Sequence, residues 1–271
     1  MTVDPTPVEA ADDPRVALFA NLTDVDLRTS LEPSQGIFMA EGMLIIERCV
    51  LHSLEIIAVL TSAKWLDRLM PLLDQAQAPV YVGTESMLES ITGYRVHRGA
   101  LAVVRRPPIA TVGEILGSGG DILVLEDLVD PTNVGLAIRS AVVQGITDIV
   151  LSPACADPLY RKAVKSSMGA VLRARWARSD DWAGTLANLA QTRSLIALTP
   201  DAEGDLVDTL REVGGSPVAL MVGSEGPGLT DRSVSQAWRC CSIPMATSQD
   251  SLNVAAAVAV ACFARSRSMT A

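Results

Sequence analysis

Histidine is nearly absent from this chain: there are two in 271 residues, His52 and His97. The five cysteines, Cys49, Cys155, Cys240, Cys241 and Cys262, are odd in number and form no C-x-x-C pair. Together these shortages argue against a metal cluster, a dithiol redox site or a His-centred acid–base machine, and the thiols read as reduced and mostly buried. Long apolar runs are also missing. The longest, Val254 to Ala264, falls well short of the roughly 20 residues that span a bilayer. The first thirty residues are acidic and contain proline, unlike a secretory signal. No phosphate loop, Rossmann fingerprint, internal repeat or low-complexity tract occurs. With 49% hydrophobic and 20% charged residues, what remains is a globular chain expected in the cytoplasm, able to bury one large core or two modest ones, with two domains expected.

Apolar runs and turn signals alternate along the chain. From Phe38 the pattern predicts helix Glu41 to Leu51, strand Ile56 to Leu60, helix Lys64 to Leu73, strand Val80 to Val82, helix Thr84 to Ile91 and strand Leu101 to Val104. It ends at Arg105-Arg106-Pro107-Pro108, which neither a strand nor a helix crosses easily. A Gly/Ser-rich linker at Gly117 to Gly120 then precedes apolar strands at Ile122 to Leu125, Asp148 to Leu151, Leu195 to Leu198, Val218 to Val222 and Cys241 to Ile243. Helical segments separate them, so a doubly wound parallel sheet is expected. Ligands in such sheets gather outside the carboxyl ends of the strands, where Glu126, Thr199, Gly223 and Pro244 fall. The resulting division is an acidic extension (1–35), a small α/β domain (36–108) and a larger α/β domain (113–271).

Three stretches of the larger domain concentrate polar residues and glycine. Asp130-Pro-Thr-Asn-Val-Gly-Leu-Ala-Ile-Arg139 begins with a cap and first-turn proline, places Asn133 in the first turn of a helix and carries Arg139 further along. Alone it is an ordinary helix start with a surface arginine. Gly223-Ser-Glu-Gly-Pro-Gly228 leaves an apolar strand and turns at once, with Glu225 its single acid. Glycine there would let backbone approach a ligand, and a tight turn with an exposed Glu is the plainer alternative. Ile243-Pro-Met-Ala-Thr-Ser-Gln-Asp-Ser-Leu-Asn253 ends with Ser251 and Asn253 at the start of an Ala/Val-rich helix, which either could simply cap. The set suits a reaction that needs positioning more than proton traffic.

Taken in this order, the three stretches resemble the signature motifs of the SpoU (TrmH) branch of the SPOUT RNA methyltransferases. That resemblance implies a SPOUT-type knotted parallel-sheet catalytic domain, an exception to unthreaded topology. It also implies S-adenosylmethionine as methyl donor, a ribose 2′-hydroxyl in structured RNA as acceptor, no metal, and a homodimer formed through the knotted domain. By the same resemblance Thr199, Gly223, Ile243 and Leu252 line the cofactor pocket, while Asn133, Arg139, Glu225, Ser251 and Asn253 form the catalytic group. Glu225 is then expected to orient Arg139 or Asn133. A guanidinium stays protonated, so Arg139 is expected to grip a phosphate and stabilise developing charge instead of acting as a base. Phe38-Met-Ala-Glu-Gly42 and His97-Arg-Gly-Ala-Leu-Ala102 resemble, more loosely, the small ribosomal-protein-like α/β domain that precedes many SpoU catalytic domains and holds RNA. Thr247 stands where the family often has Gly, and Gln144 where Phe is common.

A net charge of −9 runs against nucleic-acid binding, which phosphate neutralisation usually dominates. Its distribution softens the objection. Residues 1–32 hold seven acids against Arg15 and Arg28, whereas Ser90 to Gly113 and Pro158 to Ser179 contain none. Arg95, Arg98, Arg161 and Lys165, from those acid-free stretches, are the expected RNA contacts, and the resemblance of the small domain favours ribosomal RNA over transfer RNA. A non-catalytic RNA-binding paralogue, or a nucleotide-dependent enzyme acting on small molecules, are the competing readings. The first would lack Arg139 or the pocket glycines, and the second needs a phosphate loop; neither condition is met.

Overall fold

The computed structural model describes residues 4–96, 99–246 and 251–268. His97, Arg98 and Thr247 lie outside the described residues. The chain divides into two compact units, Met1–Pro108 with Leu159–Leu172, and Ile109–Pro158 with Arg173–Ala271.

In the first unit the elements are β1 (Thr6–Pro7), α1 (Val25–Ser34), β2 (Ile37–Glu41), α2 (Met43–Leu51), β3 (Ile56–Ser62), α3 (Leu66–Ala76), β4 (Val80–Gly83), α4 (Glu85–Thr92) and β5 (Ala100–Arg105). The five strands form one mixed sheet in the order β1-β4-β3-β5-β2. Residues 4–35, expected as an extension, are part of this body. β1 pairs in parallel with β4, and Val16, Phe19 and Leu22 are buried with Ile37, Leu60 and Leu101. The acids that suggest a solvated tail include helix caps: Asp13 accepts from Arg15 N, and Asp24 from Leu27 N at 2.9 Å. Arg28 and Glu32 form a buried ion pair one turn apart on α1. The expected helix from Glu41 starts instead at Met43, because residues 37–41 pair antiparallel with β5 and Gly42, at φ 97°, breaks the chain direction.

The second unit contains α5 (Val112–Leu116), β6 (Ile122–Leu125), α6 (Pro131–Val143) and β7 (Asp148–Leu151). After α7 (Arg161–Ser166), which packs on β2 in the first unit, it resumes with β8 (Arg175–Arg178), α8 (Trp182–Thr192), β9 (Ser194–Leu198), β10 (Gly204–Asp205) and α9 (Leu206–Val213). β11 (Val218–Val222), α10 (Asp231–Gln236), β12 (Arg239–Ser242) and α11 (Val254–Ser268) complete it. Its seven strands are all parallel, in the order β10-β12-β9-β11-β6-β7-β8. The central strands are buried at every position, as sheets covered on both faces require. Ile122, Val124, Ala219 and Met221 pack against Ile115, Leu186 and Leu189 from α5 and α8. The alternate positions face the other side, where α11 contacts α6, α9 and β11.

Gly117 to Gly120 is not the boundary between units. α5, closed by a Thr111/Glu114 capping box, buries Ile115 in the second core, and the boundary falls between Pro108 and Ile109. Arg193 ties the glycine turn down, donating to Gly120 O at 2.8 Å and Leu116 O at 3.1 Å. At the C-terminus, the buried Arg265 of α11 bonds both Asp121 oxygens and the Gly214 and Ser216 carbonyls, anchoring that helix to the sheet. No helix of the described residues is long and apolar enough to cross a membrane.

Candidate active site

Three neighbouring strands, β12, β9 and β11, end side by side at one edge of the second unit. The backbone leaving them delivers Ile243 and Met245, Thr199 and Pro200, and Gly223 to Glu225 to a single cleft. Its fourth wall is the start of α11, with Ser251, Leu252 and Asn253. The cleft measures about 380 Å³, within the range of small-molecule sites. Leu198, Val222 and Val254 give it an apolar floor, while Met245 and Leu252 stand exposed at the mouth. Large apolar side chains left in water beside a concave surface mark a place where a ligand would cover them.

Thr199, Gly223, Ile243 and Leu252, expected from widely separated segments, all line this cleft, and so do Glu225, Ser251 and Asn253. Leu198, Met245 and Ala257 also line it, and the motifs do not single them out. A signal exists for the first, which is the last residue of a strand in a doubly wound sheet. Gly223 has a different physical reason from the one its sequence suggests. A Cβ there would lie 2.2 Å from the Gly228 carbonyl carbon and 2.4 Å from Leu229 N, so the loop closes on itself across this glycine. Gly228 N donates back to Ser224 O at 3.1 Å, and Gly226 and Gly228 adopt φ 103° and 72°. The result is a compact loop that fixes where Glu225 stands.

Asn253 joins the three motifs. Its Oδ1 accepts from Ala255 N at 2.9 Å, capping α11, while its Nδ2 donates to Asn133 Oδ1 at 3.3 Å and to Glu225 Oε1. The cap expected of Asn253 is therefore made by one end of its amide, while the other end faces Asn133 and Glu225. Asn133 is brought there by the helix start expected for it: Asp130 caps Thr132 N at 2.8 Å, Pro131 opens α6, and Asn133 is buried in the first turn. Glu225 bonds neither Arg139 nor Asn133 directly; Asn253 stands between. Arg139 lies six residues along α6, roughly 120° round the helix from Asn133. It is exposed and makes no ion pair or hydrogen bond among the described residues.

Glu126, also at a strand end, is not available to a ligand. It is buried and accepts from Trp182 Nε1 (2.9 Å), Ser233 Oγ (2.6 Å) and Thr230 Oγ1 (2.9 Å), which fasten α8 and α10 to the sheet. Cys241 borders the cleft, but burial pushes its thiol up to about 11, so it is no nucleophile at neutral pH. Among the described residues no group of His, Cys, Asp and Glu is placed to hold a metal ion.

The residues expected to meet RNA fare differently. Arg95 is exposed, with Glu85 at 3.9 Å, and Arg98 lies outside the described residues. Arg161 turns into the first unit, 2.9 Å from the buried Glu41 and 4.7 Å from the centre of the Tyr94 ring. Lys165 reaches the other Glu41 oxygen at 2.5 Å. Burial alone would raise the Glu41 carboxyl, but its bonds to Lys165 and Arg161 outweigh that and hold it below the usual carboxylate range. The basic segment therefore serves a buried carboxylate, with Lys165 alone of the two keeping substantial exposure.

Residues 121–263 match the SpoU rRNA Methylase family. Over 95% of the chain, and 90% of the relative, the sequence is 34% identical to a tRNA/rRNA methyltransferase of Mycobacterium bovis that is itself uncharacterised. Among solved structures, an S-adenosylmethionine-bound rRNA methyltransferase from Sinorhizobium meliloti superposes with a TM-score of 0.79 at 22% identity, covering 97% of this chain and 98% of that one. An RNA 2′-O ribose methyltransferase gives 0.77 at 25% identity, covering 97% and 99%. The chain belongs to the SpoU family of RNA methyltransferases.

Proposed function

We propose that this protein transfers the methyl group of S-adenosylmethionine to a ribose 2′-hydroxyl in structured RNA, with ribosomal RNA the favoured substrate, in the cytoplasm. The observation that carries the reading is the Asn253 amide, which ties Asn133, Glu225 and the start of α11 together at the rim of the cleft. The cleft fits the cofactor: apolar walls from Ile243, Leu252 and Val222 suit an adenine, and the backbone of Thr199 and of the Gly223 loop offers polar groups at its edge. Bound there, the cofactor would supply an activated methyl group whose transfer to the 2′-oxygen leaves a neutral thioether, with the hydroxyl proton released to solvent.

The protein's share of the work is then positioning and electrostatics. Asn253, held by Glu225, presents a fixed amide beside Asn133, and Ser251 faces the same space. Arg139, always charged and with no protein partner among the described residues, grips the phosphate beside the target ribose and stabilises the developing alkoxide. A second copy of the chain completes the assembly. Val143 on α6 and Phe263 on the adjoining α11 are 64% and 55% exposed, an apolar surface suited to a symmetric contact. We also read the second unit as knotted, in keeping with the order β12-β9-β11, in which β12 lies on the far side of β9 from β11.

Incubation of the purified protein with methyl-labelled S-adenosylmethionine and ribosomal RNA tests the reading. Label should appear at a nucleotide whose 3′ phosphodiester resists alkaline cleavage. Label confined to a base, or none on any RNA, refutes it.

A further inference from the structure

The first unit carries a second cleft, of about 270 Å³, below the ~300–1,000 Å³ of sites that enclose a whole small-molecule ligand. Met43, Leu44, Trp65 and Met168 form its apolar walls, and Arg68 and Lys165 stand on its rim. Gly99 packs so close to Trp65 that a Cβ would lie 2.9 Å from the ring, and Lys64 and Arg68 lie over the ring, 5.4 and 5.7 Å from its centre. Such an arrangement rigidifies the indole and surrounds it with cations. Arg68 is exposed and makes no ion pair among the described residues. At the floor, Glu41 carries one negative charge against the two of Arg161 and Lys165, so the local balance is positive in a chain whose net charge is −9. Gly42, the residue before α2, offers no side chain to the N–H groups of Met43 and Leu44, which adds partial positive charge on the same side.

An apolar slot with an aromatic wall and a cationic rim is the chemistry that captures one nucleotide out of a strand: the base is apolar on its faces and the phosphate is anionic. A base inside a duplex is stacked above and below and cannot enter. We propose that this cleft binds a single unpaired nucleotide of the RNA substrate, its base against Trp65 and Met168 and its phosphate at Arg68 and Lys165. The proposal rests on the reading of the protein as an enzyme acting on structured RNA, and deepens it, since it requires the recognised RNA to present an unpaired residue away from the methylated ribose.

The test uses the intact protein, a fluorescein-labelled single-stranded oligouridine RNA and a blunt RNA duplex of the same length. Anisotropy gives the affinities, and tryptophan emission reports stacking. Trp65→Leu should weaken oligouridine binding roughly 5- to 150-fold, as for removal of one stacking platform, and abolish the quenching that oligouridine causes. Arg68→Ala, on an exposed side chain that leaves the core intact, should weaken it several-fold and flatten its salt dependence, because one fewer phosphate is neutralised on binding. Duplex binding should change little in either variant. If the parent methylates RNA while both variants bind oligouridine within twofold of it, the cleft proposal falls and the methyltransferase reading stands. If duplex RNA or an acidic peptide quenches Trp65 as oligouridine does, the preference for an unpaired nucleotide is overturned. A parent that methylates no RNA removes the reading beneath the proposal, and the proposal with it.

Discussion

Asn253→Asp separates the two jobs of one side chain. The carboxylate introduced at 253 still offers an oxygen to Ala255 N, and Asp caps helices about as well as Asn, so the stability of α11 should be nearly unchanged. The other end of the group changes sign. Where Nδ2 donates to Glu225 and Asn133 in the parent, an oxygen would face two acceptors. Removing a hydrogen bond to a charged group costs about 1.5–3 kcal/mol. Repulsion between two exposed carboxylates some 4 Å apart adds about 1 kcal/mol in water-like surroundings. At about 1.4 kcal/mol per factor of ten, the sum predicts a fall in methyl-transfer rate of roughly 50-fold or more. Asn253→Ala should behave differently: it removes the cap as well, lowering stability by about 1 kcal/mol, without introducing repulsion. Activity of Asn253→Asp should also recover as pH falls, because protonating the carboxyl introduced at 253 restores a donor. Single-turnover rates at several pH values, beside thermal unfolding, decide the matter. A rate within threefold of the parent, or a loss that follows stability across both variants, would refute the bridging role.

Arg139→Ala should cut turnover by on the order of 100-fold or more, as for one preorganised charged donor, while Arg139→Lys keeps part of the activity. Calorimetry should show unchanged S-adenosylhomocysteine affinity in both, since Arg139 does not line the cleft, and a new ionisation near a lysine's range in the Lys variant would instead argue for a base at this position. Gly223→Ala should abolish cofactor binding measured the same way, because its Cβ would meet backbone at 2.2 Å and force the loop open; binding at parental affinity would show that the loop can relax. Glu41 has a depressed folded pKa, so its contribution to stability is complete above its ordinary value of 4.5 and is lost as pH falls through the lower folded value. Urea unfolding of the parent should therefore weaken on acidification below that range. Glu41→Gln should be destabilised by about 3–5 kcal/mol at neutral pH, as when one partner of a buried ion pair is removed, with a flatter acid limb; an unchanged acid limb would contradict the assignment.

Hydrophobic patterning is sufficient to locate the central strands. Ile122–Leu125 and Val218–Val222 are continuous apolar runs, and Asp148–Leu151 is apolar after its first residue, because both faces of the sheet are covered; the structure has strands there with the same bounds. The helix start at Asp130-Pro131 is equally legible, since a cap and a first-turn proline act through neighbours in sequence. Elements whose identity depends on distant partners are not. The end of β2 reads locally as a helix start, and only pairing with β5, some sixty residues later, makes 37–41 a strand; β8 carries an arginine at each end and β10 is two residues long, so neither presents an apolar run. Residues 4–35 resemble a solvated tail because two acids, Asp13 and Asp24, serve as caps and Glu32 is hidden in an ion pair, which composition cannot display.

Site residues divide along the same line. The resemblance carried by the three motifs points to Asn133, Glu225 and Asn253, and strand ends point to Thr199 and Gly223, but neither says which touches which. Tertiary structure alone decides that Asn253 joins the other two, that Gly223 is glycine because its own loop crosses it, and that Arg161 faces a buried carboxylate. The physical reason is range. Periodicity, capping and turn chemistry act over a few residues and are written in local sequence. A hydrogen bond between residues 133 and 253, or a van der Waals clash across a closed loop, exists only after the chain has folded and brought those atoms together.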